Sequence, residues 1–363
     1  MKNKPIDFSL VKKLLITIVI ITAVFSIFYY GINYLEKNNE DTNSKQDNLI
    51  TINEPNKKNN FGMTDSVNLL VIEDPECNNC QVDLYVTQIK NNLISNLEVQ
   101  KIDYTNPRVQ NLLNKLDPNF LPLYLFSSNI EERDDWEFTL KNAFEGEIDY
   151  QNESYKIMSP YVLSSKKLNK EISLHNNTII FGNQSAEVTF YYFGDYECPF
   201  CAIGEGNLEY LEQFRKNKPE YQPTIPNLIS EFIESGEVKI VYINYYKDNE
   251  FSKKAHLAAM CANEQDKWRE FSKTLYLEQQ EWTSKLVRRE FFMDYADELN
   301  IRNEQFEDCY DSEKYSEQLE FENSIAPSIG IKVTPTYVIE DFVIEGAEDY
   351  RVTRVIIEDK LKG

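Results

Sequence analysis

Four of the six cysteines in this chain stand in two Cys-x-x-Cys pairs, Cys77 with Cys80 in CNNC and Cys198 with Cys201 in DYECPFC. Two thiols at this spacing can supply half of a zinc site, close a small structural loop, or exchange between dithiol and disulfide. Zinc fits poorly. The two pairs lie far apart in the chain, and each falls at a strand-to-helix junction where a zinc ribbon would use a short knuckle turn. A purely structural bridge fits poorly too, because closing a two-residue loop constrains the unfolded chain very little. Dithiol–disulfide exchange remains, with neither a metal nor a cofactor expected.

The second pair has a mechanism for that exchange. Cys198 at the N-cap of a helix would face free backbone N–H groups and the positive end of the helix dipole, which favours its thiolate. Pro199 suits the first helical position because no N–H is needed there. Cys201, one turn further in, is expected to keep an ordinary thiol and to attack a mixed disulfide at Cys198. Late in the chain Thr334-Pro335 opens a strand. A cis proline there would face the cysteines and leave the Thr334 backbone free to pair with an extended peptide.

These residues need a scaffold, and the patterning supplies two. In the first unit, VNLLVIED reads as a buried strand, CNNC opens a helical pattern, LEVQKIDY and PRVQNLLNKL follow as strand and helix, and FLPLYLFSS is a third strand with Pro122 at its entrance. Residues 159–175 carry no strong pattern and read as a linker. In the second unit TIIFG and EVTFYYFGDY are strands, CPFC opens a helix through about Phe214, and GEVKIVYINYY is a further strand. Residues from about 250 to 326 are almost continuously helical, after which VTPTYVI and FVIEG return to strand and an amphipathic helix ends the chain.

Leu14 to Leu35 is uncharged and apolar enough to cross a hydrocarbon core of about 30 Å as a helix. Lys2, Lys4, Lys12 and Lys13 precede it and Glu36, Glu40 and Asp41 follow, which places residues 1–13 in the cytoplasm and the rest outside. Residues 36–62 are polar and read as a flexible tether. The expected order is therefore a cytoplasmic N-terminus at 1–13, a single-pass signal-anchor at 14–35, a tether at 36–62, a first folded domain at 63–158 and a second at 176–363. Thiols outside the cytoplasm can stay oxidised. A formal net charge of −22 excludes nucleic acid as a partner, since phosphates would be repelled. The only histidines are His175 and His256, too few for histidine-rich metal sites, and His256 on its helix face reads as a packed or solvated residue.

With GNQSAEVTFYYFGDYECPFC, CANEQDKWREF, FEDCY, IGIKVTPTYVI and IEGA in this order, residues 176–363 resemble the DsbA family of thiol:disulfide oxidoreductases. The resemblance implies an α/β thioredoxin fold interrupted by a helical subdomain, with Cys198 as the exposed nucleophile, Cys201 as the resolving thiol and Pro335 as the cis proline. The family often has a buried acid six residues before the first cysteine; this chain has Tyr192, which leaves Asp195, Glu197 or solvent for proton transfer. Some members also carry a second, structural disulfide. That reading suits Cys261 and Cys309, where closing a loop of about fifty residues would stabilise the fold by about 4 kcal/mol. The first unit, with CNNC and Leu121-Pro122, resembles a thioredoxin-like domain more loosely, with Val71 where an acid would stand. It is read either as a second redox centre (Cys77, Cys80, Pro122) or as a docking domain.

The expectation is thus a membrane-anchored enzyme with tandem thioredoxin-like domains, which donates disulfides to exported proteins and is reoxidised by a membrane thiol oxidase of DsbB or vitamin-K-epoxide-reductase type. A reductase or isomerase using both pairs is the near alternative. A tethered adaptor without catalysis is the distant one.

Overall fold

The computed structural model describes residues 66–163, 165–247, 249–284 and 289–362. The expected cytoplasmic segment, anchor and tether lie outside these residues; among the described residues, no helix is long and apolar enough to cross a membrane. The chain divides into two compact units. One contains Asn129–Asn142, a stretch of tight helical turns in which Arg133 forks onto Asp135 at 2.9 Å. The other contains Asp65–Ser128 and Ala143–Gly363, and holds both cysteine pairs.

That larger unit contains two sheets. In the five-stranded sheet β1 (Val67–Glu73) runs parallel to β2 (Leu97–Asp103), with α1 (Val82–Asn92) between them in sequence and α2 (Pro107–Leu116) following. The sheet is completed by β4 (Leu123–Ser127), β5 (Phe144–Tyr150) and β6 (Glu153–Met158), in the order β2-β1-β4-β6-β5. The seven-stranded sheet has the order β3-β7-β12-β11-β9-β10-β8. Its centre is β9 (Val188–Gly194), parallel to β10 (Val238–Asn244) and antiparallel to β11 (Thr336–Ile339). Outside these lie β8 (Ile179–Gly182) on one side, and β12 (Phe342–Glu345), β7 (Lys166–Leu168) and β3 (Phe120–Leu121) on the other. Phe193, Val241, Ile243, Val338 and Val343 form one core with Ile325. Each such side chain is worth about 1.5–3 kcal/mol when fully buried.

Helices α3 (Pro199–Gly204), α4 (Leu208–Arg215) and α5 (Thr224–Leu228) follow β9. Between β10 and β11 runs an all-helical stretch: α6 (Glu250–Asn263), α7 (Trp268–Leu277), α8 (Gln279–Thr283), α9 (Arg289–Glu298), α10 (Glu304–Asp311) and α11 (Ser316–Ser328). The last helix, α12 (Tyr350–Lys360), is capped by the Asp349 carboxylate, which accepts from Arg351 N.

Three details differ from the expectation. FLPLYLFSS is not one strand: Pro122 has no N–H to offer a ladder, and the chain leaves β3 in one sheet for β4 in the other at this residue. The helix opened by CPFC does not run on to Phe214. Gly206 takes a left-handed φ of 89°, and Asn207 then caps α4 by accepting from Glu209 N and Tyr210 N. Nor is 159–175 a plain linker, because it carries β7. Lys166, buried in that strand, pairs with Glu345 at 2.5 Å, and Lys167 pairs with Asp74 and Asp341. A lysine-rich stretch looks solvated in sequence; here the ion pairs make its burial tolerable.

Candidate redox site

β9 ends at Gly194, and its alternation of Val, Phe and Tyr against the core delivers the next residues to the end of the sheet. The Asp195 carboxylate accepts from Glu197 N at 3.0 Å, and the Asp195 carbonyl from Cys198 N at 3.1 Å. Gln279 on α8 donates to the carbonyls of Tyr196 (2.6 Å) and Cys198 (3.1 Å). This places Cys198, with an extended backbone, at the N-cap of α3, followed by Pro199.

Cys198 is half-buried and Cys201 buried, and among the described residues these are the two cysteines outside a disulfide. Their environments push them apart. A hydrogen bond from the Cys201 thiol outweighs burial at Cys198; the Thr334 side chain and the Cys201 main-chain amide add to the pull and the Asp195 charge opposes it, leaving Cys198 at about 7 against the usual 9.0. Cys201 moves well upward, first through burial and then through the same interaction with Cys198. At pH 7 the shift raises the thiolate fraction of Cys198 from about one in a hundred to about half.

Thr334-Pro335 is a cis peptide, and as a thiol Cys198 donates to the Thr334 carbonyl oxygen at 3.1 Å. The structure thus brings together Cys198, Cys201, Thr334 and Pro335. Phe200 and Val333 stay 52% and 41% exposed, and Phe200 packs edge-on to Phe214.

Tyr192, at the position of the missing acid, is fully buried and its hydroxyl has no hydrogen-bond partner among the described residues. It sits in a cross-strand row with Tyr337 on β11 and Tyr242 on β10, ring centroids 5.2 and 5.1 Å away. Burial raises all three phenols well above their usual 10.0, so this row holds neutral hydroxyls.

The other cysteines are elsewhere. Cys77 and Cys80 are joined in a disulfide within a short 3-10 turn. A left-handed Gln81 separates that turn from α1, so no α-helix starts at Cys77. Leu121-Pro122 is cis. Cys261 on α6 and Cys309 on α10 form a disulfide whose cysteines are both buried. Of the two readings of His256 the packed one holds: it is fully buried on α6, and Nε2 lies 3.8 Å from Asp195 Oδ1. The aspartate, but not the histidine, has a sequence signal. Both cysteine turns carry Asp-x-Glu-Cys, Asp74 before Cys77 and Asp195 before Cys198.

A family model described as thioredoxin matches residues 220–359, beginning after the CPFC turn and including Thr334-Pro335. Disulfide bond formation protein D of Bacillus subtilis (strain 168) is 26% identical over 187 residues, 51% of this chain and 77% of the relative. Among solved structures, oxidised BdbD from Bacillus subtilis is similar at 24% identity and a TM-score of 0.42, covering 54% of this chain and all of that one. DsbA from Chlamydia trachomatis is similar at 17% identity and a TM-score of 0.43, covering 53% and 95%. An asymmetric thiol pair at the end of a sheet, in a chain similar to a disulfide bond formation protein, is the arrangement of a thiol:disulfide oxidoreductase.

Proposed function

We propose that the chain works outside the cytoplasm, held to the membrane by residues 14–35, and transfers the Cys198–Cys201 disulfide to exported proteins. The observation that carries this reading is the pairing of a half-exposed, readily ionised Cys198 with a buried, poorly ionised Cys201. A substrate thiolate attacks Cys198 because that sulfur is the accessible one, and Cys201 leaves. Thr334 and Pro335 present backbone beside Cys198 for an extended substrate segment, and exposed Phe200 and Val333 offer apolar contact. A membrane thiol oxidase of DsbB or vitamin-K-epoxide-reductase type would restore the disulfide. The first cysteine pair belongs to a second, divergent thioredoxin-like region. Its Asp74 is tied to Lys167, which favours docking over a redox role.

A second reading has its own observation. A nucleophile at about 7 is what thioredoxin shows, whereas DsbA lies near 3.5, which favours reduction or isomerisation. Equilibrating each pair separately with glutathione decides. A potential for Cys198/Cys201 above about −180 mV supports disulfide donation, and one near −270 mV overturns it in favour of the reductase.

A further inference from the structure

Beneath the CPFC turn runs a line of buried polar groups with one nitrogen left over. Glu322 on α11 is fully buried, and its carboxylate accepts from Thr178 Oγ1 (2.9 Å), Gln318 Nε2 (2.8 Å), the Asn244 main-chain N (3.3 Å) and Asn244 Nδ2. A carboxylate only accepts, so Asn244 turns its amino group to Glu322 and its Oδ1 to His256. His256 Nδ1, 2.6 Å from that oxygen, therefore carries the hydrogen and donates. Nε2 is buried with no hydrogen bond among the described residues, and faces Asp195 Oδ1 at 3.8 Å, an ion-pair separation. Without a proton on Nε2, two acceptors face each other out of water. With one, the pair is an imidazolium and a carboxylate.

Asp195 faces both ways. Its charge disfavours both the Cys198 and the Cys201 thiolates, and its main-chain amide supports Cys201. Its carboxylate accepts from Ser252 Oγ and Glu197 N. It also lines a surface hollow of about 630 Å³ with Tyr246, Lys247, Asn249, Glu250 and Phe251, which brings water to it. Burial raises the Asp195 carboxyl, but His256, Ser252 and the Glu197 amide together hold it below its usual 3.8. Around His256 the remaining titratable neighbours are Tyr196, Tyr242 and Tyr246, with Glu322 behind Asn244.

The other cysteine turn supplies the comparison. Asp74 accepts from Glu76 N at 3.0 Å and Cys77 N donates to its carbonyl at 3.1 Å, repeating the Asp195 geometry. Its partner, however, is Lys167 at 2.5 Å, a permanently charged ammonium at neutral pH. Only the CPFC turn faces its aspartate with an imidazole.

We propose that Asp195 and His256 together hold one exchangeable proton and act as the proton relay for Cys201, in place of the acid that is absent at Tyr192. This rests on the dithiol–disulfide reading of Cys198 and Cys201. When a substrate thiolate attacks Cys198, a substrate–Cys198 bond forms, the Cys198–Cys201 bond breaks, and its electron pair leaves on Cys201. Cys201 takes the proton from the pair, which regains one from water in the hollow. A second substrate thiolate then attacks the substrate sulfur and Cys198 leaves as thiolate, so the substrate loses two electrons and the protein gains two. In the reverse direction Cys201 gives its proton to the pair before attacking Cys198.

Stopped-flow reaction of the reduced protein with 5,5′-dithiobis(2-nitrobenzoate) separates the steps. The first thionitrobenzoate is released when Cys198 attacks, the second when Cys201 closes the internal disulfide. Asp195→Asn is expected to slow the second release by about a hundredfold, the range of lost general acid–base catalysis, and to remove its pH dependence below that of the Cys201 thiol. The first release should change by less than about threefold, and upward, since an opposing charge is gone. Ser252→Ala, which removes a hydrogen bond that lowers the Asp195 carboxyl, should shift the pH midpoint of the second release upward. A folded Asp195→Asn protein with both releases as in wild type overturns the relay. Should Asp195→Asn fail to fold, an unchanged midpoint in Ser252→Ala overturns it. Wild-type protein that releases neither thionitrobenzoate would overturn the oxidoreductase reading instead.

Discussion

Buried Glu205 and partly buried Arg269 form an ion pair 2.9 Å apart, one helical turn beyond Cys201. Burial raises the Glu205 carboxyl above its usual 4.5 even so. A raised folded pKa means that the fold favours the protonated acid, so the burden of the charge is felt at high pH and eased as pH falls through the folded value. Arg269→Leu leaves that charge uncompensated. It should destabilise the protein by about 3–5 kcal/mol at neutral pH, and thermal melts should show a smaller deficit near pH 5 than near pH 8.

Iodoacetamide labelling of the reduced protein should titrate Cys198 with a midpoint of about 7. A depressed folded pKa contributes stability that is full above the unfolded value and is lost as pH falls through the folded one. The reduced form should therefore gain melting temperature relative to the Cys198–Cys201 oxidised form between about pH 7 and 8.5. A labelling midpoint at the usual 9.0 would remove the basis for this expectation.

Breaking the Cys261–Cys309 bridge releases a loop with a sequence separation of 48. The chain-entropy model puts the loss at about 4 kcal/mol, so Cys261→Ser/Cys309→Ser should melt well below wild type. Its initial rate of peptide oxidation, measured where both proteins are folded, should match wild type, because neither cysteine belongs to the CPFC turn.

The tyrosine row predicts a compensating pair. A Cβ on Gly204 would come within 2.5 Å of the Tyr337 hydroxyl, so Gly204→Ala should cost about 1–3 kcal/mol by overpacking. That hydroxyl has no hydrogen-bond partner among the described residues, and Tyr337→Phe should be neutral or stabilising alone and should restore much of the loss in the double variant. Denaturant melts of the four proteins give the coupling directly.

How much of this was legible depended on range. The CPFC turn, Thr334-Pro335 and the helical stretch between β10 and β11 announce themselves through local composition: a proline after a cysteine, a Thr-Pro before β-formers, apolar residues at helical spacing. The break at Gly206-Asn207 is equally local, but apolar residues continue past it at helical spacing and mask it. The His256–Asp195 pair was not legible, because its meaning depends on which way Asn244 turns, and that is decided by Glu322 from a distant helix. β7 was hidden for a related reason: Lys166 is identifiable as an interior residue only once Glu345 is known to face it.

The narrow joint between the two sheets bears on where the chain can be cut. A shortened protein beginning at residue 176 would keep both thiols and Thr334-Pro335, yet would strip β7 and β3 from the side of β12. Phe342 and Val343 would then present open N–H and C=O groups along a bare edge, and Glu345 would lose its lysine. Such an edge invites strand-to-strand self-association. The residues that lie in sequence between the redox region and its neighbour cover, in the folded chain, the edge that would otherwise invite aggregation.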